Sequence, residues 1–369
     1  MTLSANPLAG LGPAVNAFEN LSTFGWTSPH DLAFRARFGP PVEPGRVVAA
    51  SRGLALVRTA SGERLCTPSG RMRERLLADD LTLCAGDWIA LRLDPGDTRG
   101  RMVDLLERGP SLTRQGPDGR PQCLAANLDV VFLVMGLDRD CNAARLERFL
   151  ALAWGSGARP VVVLTKVDLN DRAEAFAADM RGVAPGVQVL EVCAPAGQGV
   201  ARVGACLQGG LTGVLTGSSG AGKSTLLNAL LGEDARPTGA VRASDGRGRH
   251  TTTRRELFPL PGGGCLIETP GVREVGLGAE GADLDTAFSE IAALAARCRF
   301  RDCAHGAEPG CAVREALDQG LLGGDRYGHY LQLRREVAFE AARGDERLWR
   351  EREDKWRRIS KAQKSLRKR

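Results

Sequence analysis

The chain has 369 residues, 43% hydrophobic and 25% charged, too many for one ordinary core and enough for two or three domains. Its net charge of +6 belongs to the segment 354–369, where eight Lys/Arg and one Asp give +7 and leave the rest near −1, so an anionic partner is to be sought there. No apolar run of about 18 residues occurs, no charged start leads into an apolar stretch, and ten Cys in such a chain suit thiols or metal ligands; a cytoplasmic protein without membrane contact is expected.

Residues 1–44 read as a loop-rich, partly ordered arm, with Gly25–Trp26 and Pro40–Pro41 inside it. Residues 45–114 hold short alternating runs broken by turn signals: RVVAAS, GLALVRTASGERL, GDWIALRLDPGD and RMVDLLERG. Their spacing predicts five short strands closed into a small barrel, with an OB-fold that binds RNA as the natural candidate. Trp88 reads as core rather than as a base-stacking platform.

The texture changes at about residue 127, and a domain over 115–280 is expected. LDVVFLVMGL, PVVVLTKVDL, VQVLEV, LTGVLTG and GGCLIETPG are near-continuous apolar runs, separated by helical patterns such as RLERFLALAWGSG and DRAEAFAADMRG. That alternation predicts a parallel sheet covered on both faces.

Within it, GSSGAGKST follows an apolar run and precedes the helical TLLNALLG, as a phosphate-binding loop requires. Gly217, Ser218, Ser219, Gly220, Ala221 and Gly222 would curl backbone N–H groups around phosphates, with Lys223, Ser224 and Thr225 opening the helix. Lys223 would bridge the β- and γ-phosphates and Ser224 would ligate Mg²⁺. The base reader is TKVD. Asp168 can accept from both N1–H and N2–H₂ of guanine, donors that adenine lacks, and the stem of Lys166 would lie over the ring. Thr165 stands where Asn is usual. CAPAG after the next strand supplies Cys193 and Ala194 as a companion loop, with the Ala194 backbone near guanine O6. In LIETPG, Glu268 occupies the place of a metal-holding Asp, one methylene longer than usual. GRGRHTTTRREL, at 246–257, reads as a mobile switch.

Lysine usage supports these motifs. Only six of the 50 basic residues are Lys, and Lys166 and Lys223 alone precede Lys355. The compact ammonium has been kept where a nucleotide motif needs it. The order is base reader, companion loop, phosphate loop, switch and metal acid, a rotation of the usual guanine-nucleotide order. A circular permutation explains it, since chain ends and loop ends lie close at a domain surface.

Residues 281–345 turn helical, with LDTAFSEIAALAARC leading into CRFRDCAHGAEPGC. Cys298, Cys303, His305 and Cys311 make a three-thiolate, one-imidazole set, suited to one structural zinc with no open position. The other cysteines show no clustering and read as core or inert. The tail, 346–369, reads as a basic helix contacting a nucleic-acid backbone.

Together the rotated order, GRHTTT and the Cys/His cluster resemble the circularly permuted ribosome small subunit-dependent GTPases, the RsgA/YjeQ family. The resemblance spans about 45–369 and implies an OB-fold, a permuted P-loop GTPase domain and a helical zinc-binding domain. It implies GTP hydrolysis to GDP stimulated by the 30S ribosomal subunit, late in its maturation, with 16S rRNA contact. It also implies His250 as a catalytic group and Thr252 as the switch Thr near Mg²⁺. Val272 stands where many GTPases carry a water-positioning Gln. A monomer is expected. Two rivals remain: a nucleotide-gated RNA-binding module that barely hydrolyses GTP because of Glu268, and an ATP-using P-loop kinase or transporter subunit, which TKVD opposes.

Overall fold

A computed structural model describes residues 21–51, 53–93, 99–115, 121–137, 141–232, 255–269, 282–306 and 308–344. The N-terminal segment is not all loop. SPHDLAFRAR forms a helix, α1 (Ser28–Arg37), with the Thr27 N–H donating to His30 Nδ1 at its start. Asp31 in the first turn and Arg35 and Arg37 in the last suit the helix dipole. Proline in the first turn, which disfavours helix elsewhere, is harmless there. Trp26 is buried edge-on against Trp88, with ring centroids 4.7 Å apart, so Trp88 is core as expected.

The barrel comprises β1 (Val42–Ser51), β2 (Leu54–Thr59), β3 (Gly62–Pro68), β4 (Trp88–Leu93) and β5 (Arg99–Leu105), with helix α2 (Gly70–Ala78) between β3 and β4. It closes in the order β1-β2-β3-β5-β4, β3 and β5 running parallel. Val47, Val57, Met72, Ile89, Leu91 and Met102 fill it. An antiparallel ribbon, β6 (Ser111–Gln115) and β7 (Pro121–Ala126), then leads into the central sheet.

That sheet has six strands in the order β10-β9-β8-β11-β13-β12: β8 (Val130–Gly136), β9 (Arg159–Thr165), β10 (Gln188–Val192), β11 (Thr212–Thr216), β12 (Glu256–Pro259) and β13 (Cys265–Glu268). The five apolar runs of the sequence pair in parallel as expected, and β12, which was not among them, adds an antiparallel edge strand on β13. The turn at 260–264 is too short for a crossover helix, so only an antiparallel return is open to it. The two-residue period of β8 sorts its side chains. Val131, Leu133 and Met135 pack with α3 (Ala143–Gly155) and α4 (Ala173–Val183). Val130, Phe132 and Val134 pack with α5 (Val200–Ala205) and α6 (Lys223–Leu231). Both faces are thus covered, which is why these strands read as unbroken apolar runs.

The C-terminal part is helical. The helical stretch over 284–298 is broken at Phe288 into α7 (Leu284–Ala287) and α8 (Ser289–Ala295); α9 (Ala312–Asp318) and α10 (Gly324–Gly344) follow. Phe288 is fully buried, and the break turns its ring under the Arg326 guanidinium at 4.4 Å. Arg326 donates to Glu290 at 2.7 Å and to buried Glu147 of α3 at 2.9 Å, fastening this part to the sheet domain.

A second arginine joins the barrel to the sheet. Arg46 of β1 is 1% exposed and donates to the carbonyls of Phe24, Gly86 and Asn127 and to Thr212 Oγ1, at 3.1 Å, on β11. Its guanidinium lies 4.6 Å from the Trp88 ring. Burial pulls it down to about 10, still charged at neutral pH.

Candidate active site

Parallel strands end on one edge of a sheet, and this edge collects the motifs. Thr165 ends β9, Val192 ends β10, Thr216 ends β11 and Glu268 ends β13. The register sets Gly136 beside Thr165, Thr165 beside Val192 and Leu215 beside Glu268. Chain order is rotated; spatial order is that of one crevice beyond the carboxyl ends of the strands.

The loop 217–222 leaves β11 through Gly217, whose φ is +147°. A Cβ there would lie 2.1 Å from the Val134 carbonyl oxygen, so only glycine fits. Lys223, 6% exposed, lies within the loop and donates to the carbonyls of Gly217 at 2.9 Å and Ser218 at 2.7 Å. Ser218 and Ala221 are buried, Ser219 and Gly220 half-buried, and Thr225 lies one turn into α6. The Ser224 hydroxyl donates to Glu268 Oε1 at 2.5 Å. Glu268 is fully buried. Its extra methylene is therefore accommodated: the carboxylate reaches the hydroxyl directly. A hydroxyl and a carboxylate are hard oxygen donors in contact, a set that suits Mg²⁺.

Thr165 supplies a link that the sequence pattern did not disclose. Its hydroxyl donates to the Ala221 carbonyl at 2.6 Å, tying the strand that ends in TKVD to the loop 217–222. Lys166 follows in the left-handed conformation, φ +59°, and Val167–Leu169 make a single 3₁₀ turn. Asp168 is exposed at the edge. The Ala196 amide pulls the Cys193 thiol down, but its hydrogen bond to the Asp168 carboxylate and burial outweigh this and hold it above its ordinary value. Cys193 and Gln198 exchange backbone hydrogen bonds at 3.1 Å, closing the loop that carries Ala194.

Sequence reasoning missed three supporting residues. Asn170 Nδ2 donates to the Leu137 carbonyl at 2.7 Å and pins the base-reader turn. Gln198 closes the companion loop. Thr269, fully buried, donates to the Leu215 carbonyl at 2.8 Å and fixes the end of β13. His250, Thr252, Val272 and the tail 346–369 lie outside the described residues.

In the C-terminal part, the ligand atoms of Cys298, Cys303, His305 and Cys311 all lie within 4.8 Å of one another. Cys298 and Cys311 sulfurs are 3.9 Å apart, each 3.6 Å from His305 Nδ1. Sulfurs about 2.3 Å from a tetrahedral zinc would be separated by roughly 3.8 Å, so the set fits one structural zinc. Burial pushes the Cys298 thiol up, but the Val313 and Ala312 amides and the neighbouring thiols outweigh it and hold the thiol low. Burial lowers His305, favouring the neutral ligand form. His305 takes φ +61°, with its carbonyl held by the Tyr327 hydroxyl at 3.3 Å. Glu308 accepts from the Ala304 and Gly306 amides at 3.1 and 2.7 Å, shaping the loop between ligands.

One expectation about cysteine fails. Cys84 and Cys123 are not isolated: their sulfurs lie 2.8 Å apart. They are 39 positions apart in sequence, so spacing gave no sign of the pair.

Comparison with known proteins places this geometry. The family model for RsgA GTPase matches residues 105–278. A small ribosomal subunit biogenesis GTPase RsgA from Opitutus terrae is 42% identical over 356 residues, spanning 94% of this chain and 97% of that protein. Its counterpart from Streptomyces coelicolor is 45% identical over 89% of each chain. Among solved structures, YjeQ from Thermotoga maritima superposes with a TM-score of 0.59 at 26% identity, over 80% of this chain and 99% of that one. YloQ, described as a circularly permuted GTPase, gives 0.57 at 25% identity, over 82% of this chain and 97% of that one.

Proposed function

This chain belongs to the RsgA GTPase family, and from that premise we propose how it works. It is a GTP hydrolase acting in biogenesis of the small ribosomal subunit. The 30S subunit is its partner and stimulates turnover late in maturation, through contacts to 16S rRNA. The parts divide at 1–44, 45–114, 115–280, 281–345 and 346–369, and the protein works as a monomer. The barrel and the basic tail contact rRNA, the tail through phosphates in a salt-sensitive way.

The observation that carries this reading is the Thr165–Ala221 hydrogen bond, which joins the base reader to the phosphate loop across the permuted chain. Asp168 accepts from guanine N1–H and N2–H₂, with the Lys166 stem over the ring and the Ala194 amide toward O6. The amides of 217–225 cradle the phosphates at the N-terminus of α6. Lys223, already inside the loop, exchanges the Gly217 and Ser218 carbonyls for β- and γ-phosphate oxygens. Ser224, Glu268 and Thr252 would hold Mg²⁺, which when bound neutralises charge on the β- and γ-phosphates. His250 orients the attacking water, a task Val272 has no polar atom to perform.

The test is GTP turnover by the full zinc-loaded chain with added 30S, 50S or 70S particles. Stimulation by 30S alone is expected. His250→Ala should keep GTP affinity and 30S co-sedimentation yet lose about 10²-fold of the stimulated turnover. No turnover with any particle would leave a nucleotide-gated RNA-binding module. Full stimulation of His250→Ala would remove the catalytic role.

A further inference from the structure

Cys84 lies in the turn before β4 of the barrel, and Cys123 lies in β7 of the ribbon. Their sulfurs are 2.8 Å apart. A disulfide has a bond of about 2.05 Å, so closure needs a sulfur movement of under about 1 Å. The two backbones are already fixed to each other. The Ala126 N–H donates to the Ala85 carbonyl at 3.1 Å. A Cβ on Gly86 would come 2.2 Å from the Ala126 carbonyl oxygen, so the turn before β4 packs on the end of β7 at glycine distance. The Cys84 N–H donates to Asp87 Oδ2 at 2.9 Å, and Arg108 clamps Asp87 at 2.7 and 2.8 Å.

We propose that Cys84 and Cys123 are a peroxide-sensitive modification site that closes to a reversible disulfide and fastens the barrel to the ribbon. Neither cysteine belongs to the nucleotide edge or to the Cys/His cluster, so the inference stands apart from the reading above. The two residues are 3% and 7% exposed, within reach of a small oxidant. The roles differ. Their mutual hydrogen bond, in which either sulfur can donate, holds the Cys123 thiol below its ordinary value; burial and the Asp87 carboxylate oppose this and the Arg108 and Arg255 guanidinium groups assist. Cys84 is pushed up by the same bond and by burial. A thiol held low near two guanidinium groups, beside a partner thiol held high, is the arrangement of a nucleophile and its resolving thiol.

The steps balance. The Cys123 thiolate attacks one oxygen of hydrogen peroxide; an S–O bond forms, the O–O bond breaks, and the departing hydroxide takes a proton to become water. Cys84 then attacks the Cys123 sulfur as its thiolate. The S–S bond forms, the S–O bond breaks, and the leaving hydroxide takes the Cys84 proton as a second water. Two thiols are oxidised by one peroxide, and a dithiol reductant restores them. In a reducing compartment such a bond is transient and regulatory.

The test treats the full zinc-loaded chain with one equivalent of hydrogen peroxide. Intact mass should fall by two hydrogen atoms, and peptide mapping should give one linked pair containing Cys84 and Cys123, lost on adding dithiothreitol. Cys84→Ser should stop at a Cys123 sulfenic acid that dimedone traps, while Cys123→Ser should leave Cys84 unlabelled. Oxidation confined to Cys298, Cys303 and Cys311, with Cys84 and Cys123 still alkylated after denaturation, would overturn the proposal on the unmutated chain alone. Dimedone labelling of Cys84 in Cys123→Ser would reverse the assigned roles and overturn the mechanism.

Discussion

The nucleotide edge and the Cys/His cluster are both short in sequence, yet they are made of different material. The edge is built mainly of backbone: a glycine turn that no Cβ can enter, carbonyls that hold Lys223, and the Ala221 carbonyl that Thr165 grips. The cluster is built of side chains. Four ligand atoms converge within 4.8 Å, and α8, α9 and their loops are arranged around them. A site made of backbone should resist most side-chain exchanges and fail where chain geometry changes. A site made of side chains should fail at the loss of any one ligand.

The largest effect expected is at the cluster. Cys303→Ser should abolish stoichiometric zinc, measured by metal analysis of purified protein, and loosen α8 and α9, measured by amide exchange. GTP binding should persist, because Arg326 and Glu147 hold the junction without the metal. Equal loss of GTP binding would erase the distinction between the two sites. Next comes Gly217→Ala. The added methyl meets the Val134 carbonyl at 2.1 Å at a φ of +147°. A thermal or denaturant melt should show a loss of roughly 3 kcal/mol, with zinc retained. The smallest effect sharpens the contrast. Thr165→Val removes one hydroxyl and leaves the buried Ala221 carbonyl without that donor, a cost of about 1–2 kcal/mol. GTP affinity should drop about tenfold, while Thr165→Ser, which keeps the hydroxyl, should stay within a few-fold of the unmutated chain.

What could be read in advance follows the same division. GSSGAGKST, TKVD and CRFRDCAHGAEPGC are contiguous, and each carries its chemistry in neighbouring residues. The five barrel strands were legible because turn residues punctuate an alternating pattern. Contacts between distant residues were not. Nothing in the run RVVAAS marks Arg46 as buried; it is buried because carbonyls from three separated segments converge on it. Cys84 and Cys123 meet only once the barrel packs on the ribbon. The Thr at position 165 looked like a weakened Asn, because the pattern specifies a residue type and not the carbonyl within its reach.

The strand order of the central sheet also bears on how the protein is made. A ribosome releases β8 first, then β9 beside it, then β10 beside β9. Afterwards β11 emerges and pairs with the other side of β8, and the β12–β13 hairpin adds beyond β11. β9, β10 and β11 therefore each join an edge that already exists, β12 waits the few residues for β13 and joins with it as a hairpin, and no strand has to wedge between two partners that have paired. The base-reading half can settle while the phosphate loop is still being synthesised, and the unpaired side of β8 waits only for the 75 residues between the end of that strand and the start of β11. The rotated gene order lets this sheet grow outward from its middle at the pace of translation.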